Sequence, residues 1–367
     1  MPRTSSPAGL DKDFVFTLSA ENLDKPRAIA APDPVEAYTT NLMDSLIPKV
    51  LNIPSQTPEI VFVVERSGSM RGNRIEAVKS SLLLFLASLT PGINFNLCSL
   101  GSSFSFLFPP SMPYSAETLK VSQDHANEMS ADYGGTEMLA PLKATTDQRI
   151  PGSNFEVLFL TDGEVFDNKY IANYVESAAA EKVRFFTLGI AETVTHSIVE
   201  SIARAGRGYA QTVQPGERCH KKVIRMLKAA LTPHIEDWAI DWEGKKELES
   251  SDNLVALQSP FRIPPPMFHG VRSSVYFTFP SPPPKEIHLT GTYNKEKIIT
   301  TIPVLALSKP CFSMRSIYGH LDHQDLSEGR IPEHILSKEA IGTHATHVGL
   351  RFQLASRLTS FITVDEK

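Results

Sequence analysis

Cysteine is scarce. Only Cys98, Cys219 and Cys311 occur in 367 residues, an odd number at wide separations, which argues against a disulfide framework and for a reducing, cytoplasmic compartment. Long apolar runs are missing: no stretch approaches the roughly twenty residues needed to cross a bilayer. The opening dozen residues contain Pro, Ser and Gly but no apolar core of a secretory leader. Positive charge is not in excess either, and a net charge of -5 leaves no basic footprint for nucleic acid. Phosphate-cradling loops are lacking, with no Gly-x-Gly-x-x-Gly and no glycine loop leading into Lys-Ser/Thr. Ser67 stands in Arg-Ser-Gly-Ser, without the first glycine of a nucleophile elbow.

What is present is an alternation of strands and helices organised around residues 59–70. Glu59 to Val64 is an apolar, β-branched run that reads as a strand buried on both faces. A polar loop follows it, with Glu65, Ser67 and Ser69, and then a helix from Arg74 to Leu89. The grammar repeats with a strand from Ile93 to Leu100, an edge strand from Phe104 to Phe108 and a helix from Ala116 to Met129. A loop from Tyr133 to Glu137 with paired glycines leads to a helix from Met138 to Thr146. Phe155 to Thr161 is a second buried strand, ending at Asp162-Gly163. Helices at Lys169 to Ala180, Ser197 to Ala205 and Cys219 to Leu231 then alternate with strands at Val183 to Ile190 and Gly208 to Val213. This order predicts an α/β fold, a doubly wound and mostly parallel sheet with helices on both faces.

In such a sheet the loops after the strands lie at the carboxyl edge, where ligands bind. Those loops carry Glu65, Ser67 and Ser69, then Thr136, then Asp162. Hydroxyl and carboxylate oxygens without thiolate or imidazole form a hard ligand set, suited to Mg²⁺, Ca²⁺ or Mn²⁺. Mg²⁺ keeps several waters and takes few protein carboxylates, so a partner's carboxylate can complete its shell. The same residues also admit a quieter reading, in which Ser67 and Ser69 cap the following helix and Asp162 is a turn residue before Gly163. Glu65 with Asp162 could in principle be an acid and base pair, although two hydroxyls and a Thr loop suit them better as metal ligands.

This pattern strongly resembles a von Willebrand factor type A domain with its metal-ion-dependent adhesion site. There an Asp-x-Ser-x-Ser loop, a distant Thr and a distant Asp surround the ion. Ser67, Ser69, Thr136 and Asp162 match one for one, whereas Glu65 stands where the family has Asp. The resemblance implies that this acid reaches the ion through water, so a side chain one methylene longer could bind directly, displace the water or crowd the site. Residues 59–75, 133–138, 159–165 and 354–366 are similar to the group that pairs this domain with a preceding vault-inter-alpha-trypsin domain. That group includes the inter-alpha-trypsin inhibitor heavy chains and the vault-associated poly(ADP-ribose) polymerase. The preceding domain is expected to be missing here, which suggests a shortened paralogue or an incomplete gene product. No segment resembles the polymerase's transferase domain, and the Asp-Pro-His-Phe segment of the secreted heavy chains is not found.

Four regions are expected. Residues 1–55 form an amino-terminal extension, with Phe14 to Leu18 a short strand and Asn41 to Val50 an approach segment. Residues 56–233 form the type A domain. Residues 234–310 are β-rich, with strands around Trp238 to Trp242, Leu254 to Leu257, Val275 to Phe279, Ile287 to Thr292 and Ile298 to Leu305 in a small antiparallel sandwich or sheet. Pro264 to Pro266 and Pro282 to Pro284 separate them, either as rigid turns or as ligands for proline-binding modules. Residues 311–367 read as helical, closing with a strand from Thr359 to Val364 docked on the β-rich region. Two pairs, His320 with His323 and His344 with His347, have the spacing of a transition-metal site but no further ligand at a motif spacing.

The function expected is a non-enzymatic interaction module that binds a carboxylate on a protein partner through a divalent cation. Two readings compete with it: a metal-independent scaffold with a degenerate site, and a hydrolase that uses the ion to activate water.

Overall fold

A computed structural model of the chain describes residues 25–46, 57–163, 168–179, 182–190, 196–214, 217, 219–232, 236–243, 257–259, 273–279, 282–293, 296–327, 338–356 and 359–360. The elements run in the order β1 (Arg27–Pro32), β2 (Thr40–Leu46), β3 (Glu59–Glu65), α1 (Asn73–Ala87), β4 (Asn94–Leu100), β5 (Phe104–Phe106), β6 (Met112–Pro113), α2 (Ala116–Glu128), α3 (Leu139–Asp147), β7 (Phe155–Thr161), α4 (Asn168–Ala179), β8 (Val183–Ile190), α5 (His196–Ala205), β9 (Arg207–Val213) and α6 (His220–Ala230). Then follow β10 (Glu236–Asp241), β11 (Leu257–Ser259), β12 (Ser273–Phe279), β13 (Glu286–Tyr293), β14 (Glu296–Ala306), α7 (Phe312–Ser327) and α8 (Lys338–Arg351). Phe14 to Leu18, Leu254 to Ala256, Pro264 to Pro266 and Phe361 to Val364 lie outside the described residues.

The first sheet has the order β5-β4-β3-β7-β8-β9. Strands β4, β3, β7, β8 and β9 are parallel, and β5 and β6 pair antiparallel with β4 at the edge. The expected α/β class is therefore observed. Apolar alternation along β3 divides its side chains between two cores. Ile60, Phe62 and Val64 join α1, α6 and the end of α2 on one face; Val61 and Val63 join α3, α4 and α5 on the other. The helices follow from their apolar spacing. In α1, Ile75, Val78, Leu82, Phe85 and Leu86 are buried, recurring three and four residues apart along one face. Helix α2 starts at a capping box between Ser115 and Thr118, which satisfies backbone donors that the first turn would leave open.

From β3 the chain winds to one side, through α1 to β4, and then returns to the other side at β7. The β3/β7 junction is thus the topological switch point, and in sheets of this type the crevice beyond the carboxyl ends of those strands is where ligands bind. At the opposite end of β7, Glu156 is wholly buried and receives two bonds from Nε of Arg184, at 2.9 and 3.2 Å, and one from its Nη2 at 2.8 Å. The same Nη2 also donates to the carbonyls of Ala230 and Thr232, which fastens the end of α6 under the sheet.

Among the described residues the β-rich region forms one seven-stranded sheet, β10-β13-β14-β1-β2-β12-β11. All its pairings are antiparallel except β1 with β14. Over the described residues 25–46 this differs from the reading as an extension and, at 41–46, as an approach segment; residues 1–24 and 47–55 lie outside the described residues. Arg27–Pro32 and Thr40–Leu46 are strands, and they lie between β14 and β12. Local patterning missed this because the partners are separated by more than two hundred residues, and nothing within either short run marks a neighbour so distant. One face of the sheet carries Leu42, Leu46, Ile240, Trp242, Val275 and Phe277. The other packs Tyr276 and Met43 against Tyr318 and Leu326 of α7 and Val348 of α8. Arg315 in α7 donates to both oxygens of Asp33, at 2.9 and 2.8 Å, and to the carbonyl of Arg351 at 3.0 Å, tying the β1–β2 turn to both helices.

Asp44 stands between Leu42 and Leu46 on β2, and the two-residue period places it on their face. It is fully buried, and among the described residues neither carboxyl oxygen has a hydrogen-bond partner. Burial raises it from 3.8 to about 8.

Two stability predictions follow from these charges. Arg184→Met leaves Glu156 buried without its cation and should cost about 3–5 kcal/mol in urea unfolding; a loss under 1 kcal/mol would show that the pair does not hold α6. For Asp44, the unfolded carboxyl ionises near pH 4 while the folded one stays protonated to about pH 8. Its effect is therefore a penalty, absent below about pH 4, growing through neutrality and constant above about pH 8. Asp44→Val should stabilise by up to about 4 kcal/mol at pH 7 and by little at pH 4, and an equal gain at both pH values would rule out titration as the cause.

Candidate metal centre

Three loops meet beyond the carboxyl ends of β3 and β7. The first continues β3 through Arg66 and Ser67 into a short 3₁₀ turn, Gly68–Met70. It is bonded to the second, since Gly68 N–H donates to the carbonyl of Gly134 at 2.7 Å and Tyr133 N–H donates to the carbonyl of Arg66 at 3.1 Å. The approach depends on glycine at two points. A Cβ on Gly101 would overlap Tyr133, and Gly134 has a φ of +80°, in the region that side chains with a Cβ avoid. The third loop is Asp162-Gly163 at the end of β7.

Four of the five residues expected at the site are joined by direct hydrogen bonds. Glu65 is completely buried, and its Oε1 accepts from Ser67 Oγ at 2.6 Å and from Thr136 Oγ1 at 3.2 Å. Its Oε2 accepts from Thr161 Oγ1, which in turn accepts from Gly163 N–H at 2.9 Å. Ser67 Oγ lies 2.8 Å from Ser69 Oγ. Asp162, 1% exposed, joins through charge. Burial first, and the neighbouring Asp162 carboxylate second, push the Glu65 carboxyl above its ordinary range against the pull of its three hydroxyl donors. Ser69 and Thr136 are half-buried and form the open side of the cluster.

The donor set fits a hard cation. Two oxygens bound to Mg²⁺ at 2.0–2.1 Å in neighbouring octahedral positions stand about 2.9 Å apart, close to the 2.8 Å between the Ser67 and Ser69 hydroxyls. Among the described residues no group of three or more His, Cys, Asp or Glu side chains is arranged to hold a metal. The His320/His323 and His344/His347 pairs lie on α7 and α8, where His323 and His344 are lowered by burial and by their histidine neighbours.

Three further residues shape the site and were not singled out by sequence reasoning. Thr161 is the second donor level beneath Glu65 and looks in the sequence like the last residue of a strand. Arg66 is 6% exposed. It donates to the carbonyl of Ser130 at 3.0 Å and to Ser99 Oγ at 3.3 Å, pairs with Asp132 at 2.7 Å and lies over the Tyr133 ring at 4.3 Å. Arg74 places Nη1 2.8 Å from Asp162 Oδ2 and 3.2 Å from the carbonyl of Ser69. The only signal for it was a basic residue at the start of a helix, where the macrodipole disfavours positive charge.

A family profile described as von Willebrand factor type A domain matches residues 58–212. This segment is a von Willebrand factor type A domain. Beyond the domain, von Willebrand factor A domain-containing protein 5A of Rattus norvegicus is 34% identical over 249 residues, which cover 65% of this chain and 29% of the rat protein. A von Willebrand factor A domain-containing protein of Dictyostelium discoideum is 28% identical over 373 residues, 98% of this chain and 38% of its own length. The chain thus spans well under half of these relatives. Among solved structures, a von Willebrand factor type A protein from Catenulispora acidiphila aligns with a TM-score of 0.56 at 13% identity, covering 91% of this chain and 89% of that one. At that identity the match speaks to fold alone. No helix among the described residues is long and apolar enough to cross a membrane.

The Arg66 clamp gives a local prediction for the type A domain. Arg66→Met removes the bonds that hold residues 130–136 against the β3 loop, and should cost about 1–3 kcal/mol. Amide exchange at Gly135 and Thr136 should accelerate while β8 amides stay protected; unchanged exchange at Thr136 would show that the clamp does not order the loop.

Proposed function

We propose that the chain is a non-enzymatic interaction module. In this reading its type A domain holds a divalent cation, Mg²⁺ or alternatively Ca²⁺ or Mn²⁺, and through it a carboxylate on a protein partner. The observation that carries it is the pair of Ser67 and Ser69 hydroxyls 2.8 Å apart at the mouth of the switch-point crevice, above two buried carboxylates. Ser67, Ser69 and Thr136 would supply oxygen ligands, and Asp162 the negative charge. Glu65 would act chiefly from beneath, as the acceptor that orients the Ser67 and Thr136 hydroxyls so that their lone pairs face outward. The ion would leave positions for water or an acidic group from outside, which suits Mg²⁺. Cys98, Cys219 and Cys311 are free thiols, in keeping with a reducing, cytoplasmic setting. The division of the chain near residue 233 into a binding domain and a β-rich remainder belongs to the same reading.

One observation favours a second reading, a scaffold that needs no metal. The cluster is already satisfied from within, because Glu65 accepts three hydroxyls and Asp162 is paired with Arg74.

Isothermal titration of Mg²⁺, Ca²⁺ and Mn²⁺ into metal-stripped protein decides between them. The expected result is binding by the natural sequence that is lost in Asp162→Ala. Binding that appears only after Glu65→Asp would sink the proposal and transfer the contact surface to the β-rich region.

A further inference from the structure

Arg74 is a positively charged side chain in contact with the candidate centre, and its position is electrostatically unusual. It is in the first turn of α1, which begins at Asn73, where the partial positive charge of the helix N-terminus opposes a cation. The side chain nevertheless reaches inward. Its Nη1 bonds Asp162 Oδ2 at 2.8 Å and the Ser69 carbonyl at 3.2 Å, so one nitrogen joins the first and third loops of the site. The carboxylate side of this pair is fully buried while the guanidinium side is 27% exposed. Leaving Asp162 charged at that depth without a cation would be expensive, and the pairing with Arg74 offsets the same helix-end repulsion that argues against a basic residue there.

We infer that Arg74 is a tethered counter-ion which holds Asp162 in the metal-free domain and which a divalent cation must displace, so that this residue sets the affinity of the centre. The inference rests on the metal-binding reading of the site. A divalent ion bound at Ser67, Ser69 and Asp162 would be within a few ångströms of the guanidinium. Two like charges at that range in a partly buried crevice repel strongly, and a guanidinium cannot relieve the repulsion by losing its proton. The ion therefore meets both an occupied ligand and an opposing charge. Arg74 keeps the empty centre folded and raises the concentration of free cation at which it fills, which makes loading conditional instead of constitutive.

The test compares the full chain with Arg74→Gln, which removes the charge and retains an amide N–H donor on a shorter side chain, and with Arg74→Lys, which keeps the charge. Mn²⁺ is titrated into each metal-stripped protein by calorimetry, and thermal midpoints are recorded with and without saturating Mn²⁺. Arg74→Gln is expected to bind at least tenfold more tightly than the natural protein, to melt lower when stripped and to regain that deficit when loaded. Arg74→Lys is expected to bind within threefold of the natural protein. Binding by Arg74→Gln alone, with none by the natural protein, supports the role of Arg74 and counts against the proposed function of the natural chain. Equal or weaker binding by a folded Arg74→Gln overturns it and leaves the metal site standing. Absence of binding in all three proteins overturns both.

Discussion

The burial of Glu65 is the constraint around which the type A domain is assembled. A carboxyl at the end of a strand covered on both faces cannot reach water, so its hydrogen bonds must come from protein. Three hydroxyls supply them, each from a different place: Ser67 from its own loop, Thr136 from the loop after α2, and Thr161 from the end of β7. Satisfying one acid therefore brings three separate segments together at the switch point. The groups recruited for that purpose are hydroxyl oxygens, which are also suited to hold a hard cation. Stability and candidate function share the same atoms.

Three other buried acids among the described residues show three different treatments. Glu156 is matched by the nearly buried Arg184, whose remaining donors reach the backbone after α6, so this pair fastens a helix to the sheet. Asp162 is matched by Arg74 from the rim, where the cation is still partly wet, and such a pair can open. Asp44 is kept neutral by its apolar surroundings. The first arrangement is structural, the second exchangeable and the third a penalty carried by the β-rich sheet.

Much was legible in advance. The order of elements in the type A domain follows from apolar period, since runs such as Ile60 to Val64 and Phe155 to Leu160 cannot be half-exposed strands. Expected boundaries there fall within about two residues of those observed: α1 begins at Asn73 against an expected Arg74, and β4 at Asn94 against Ile93. Convergence of the Glu65, Ser67, Ser69, Thr136 and Asp162 loops was also legible, because parallel strands send successive loops to one edge. The second sheet was legible only in part. Its later strands alternate visibly, but β1 and β2 are short and lie at the other end of the chain.

The sequence by itself determined the fold class, the edge at which the candidate site lies and the oxygen chemistry of that site, because local period and residue type are properties of short segments. Tertiary structure decided the rest. It alone put Arg74 on Asp162, Thr161 beneath Glu65, Arg66 across Ser130 and Tyr133, and the two amino-terminal strands inside a sheet completed by residues beyond 235. Each is a contact between segments distant in the chain, specified by geometry and by the need to satisfy a buried charge or an open strand edge. No short window of sequence carries that information.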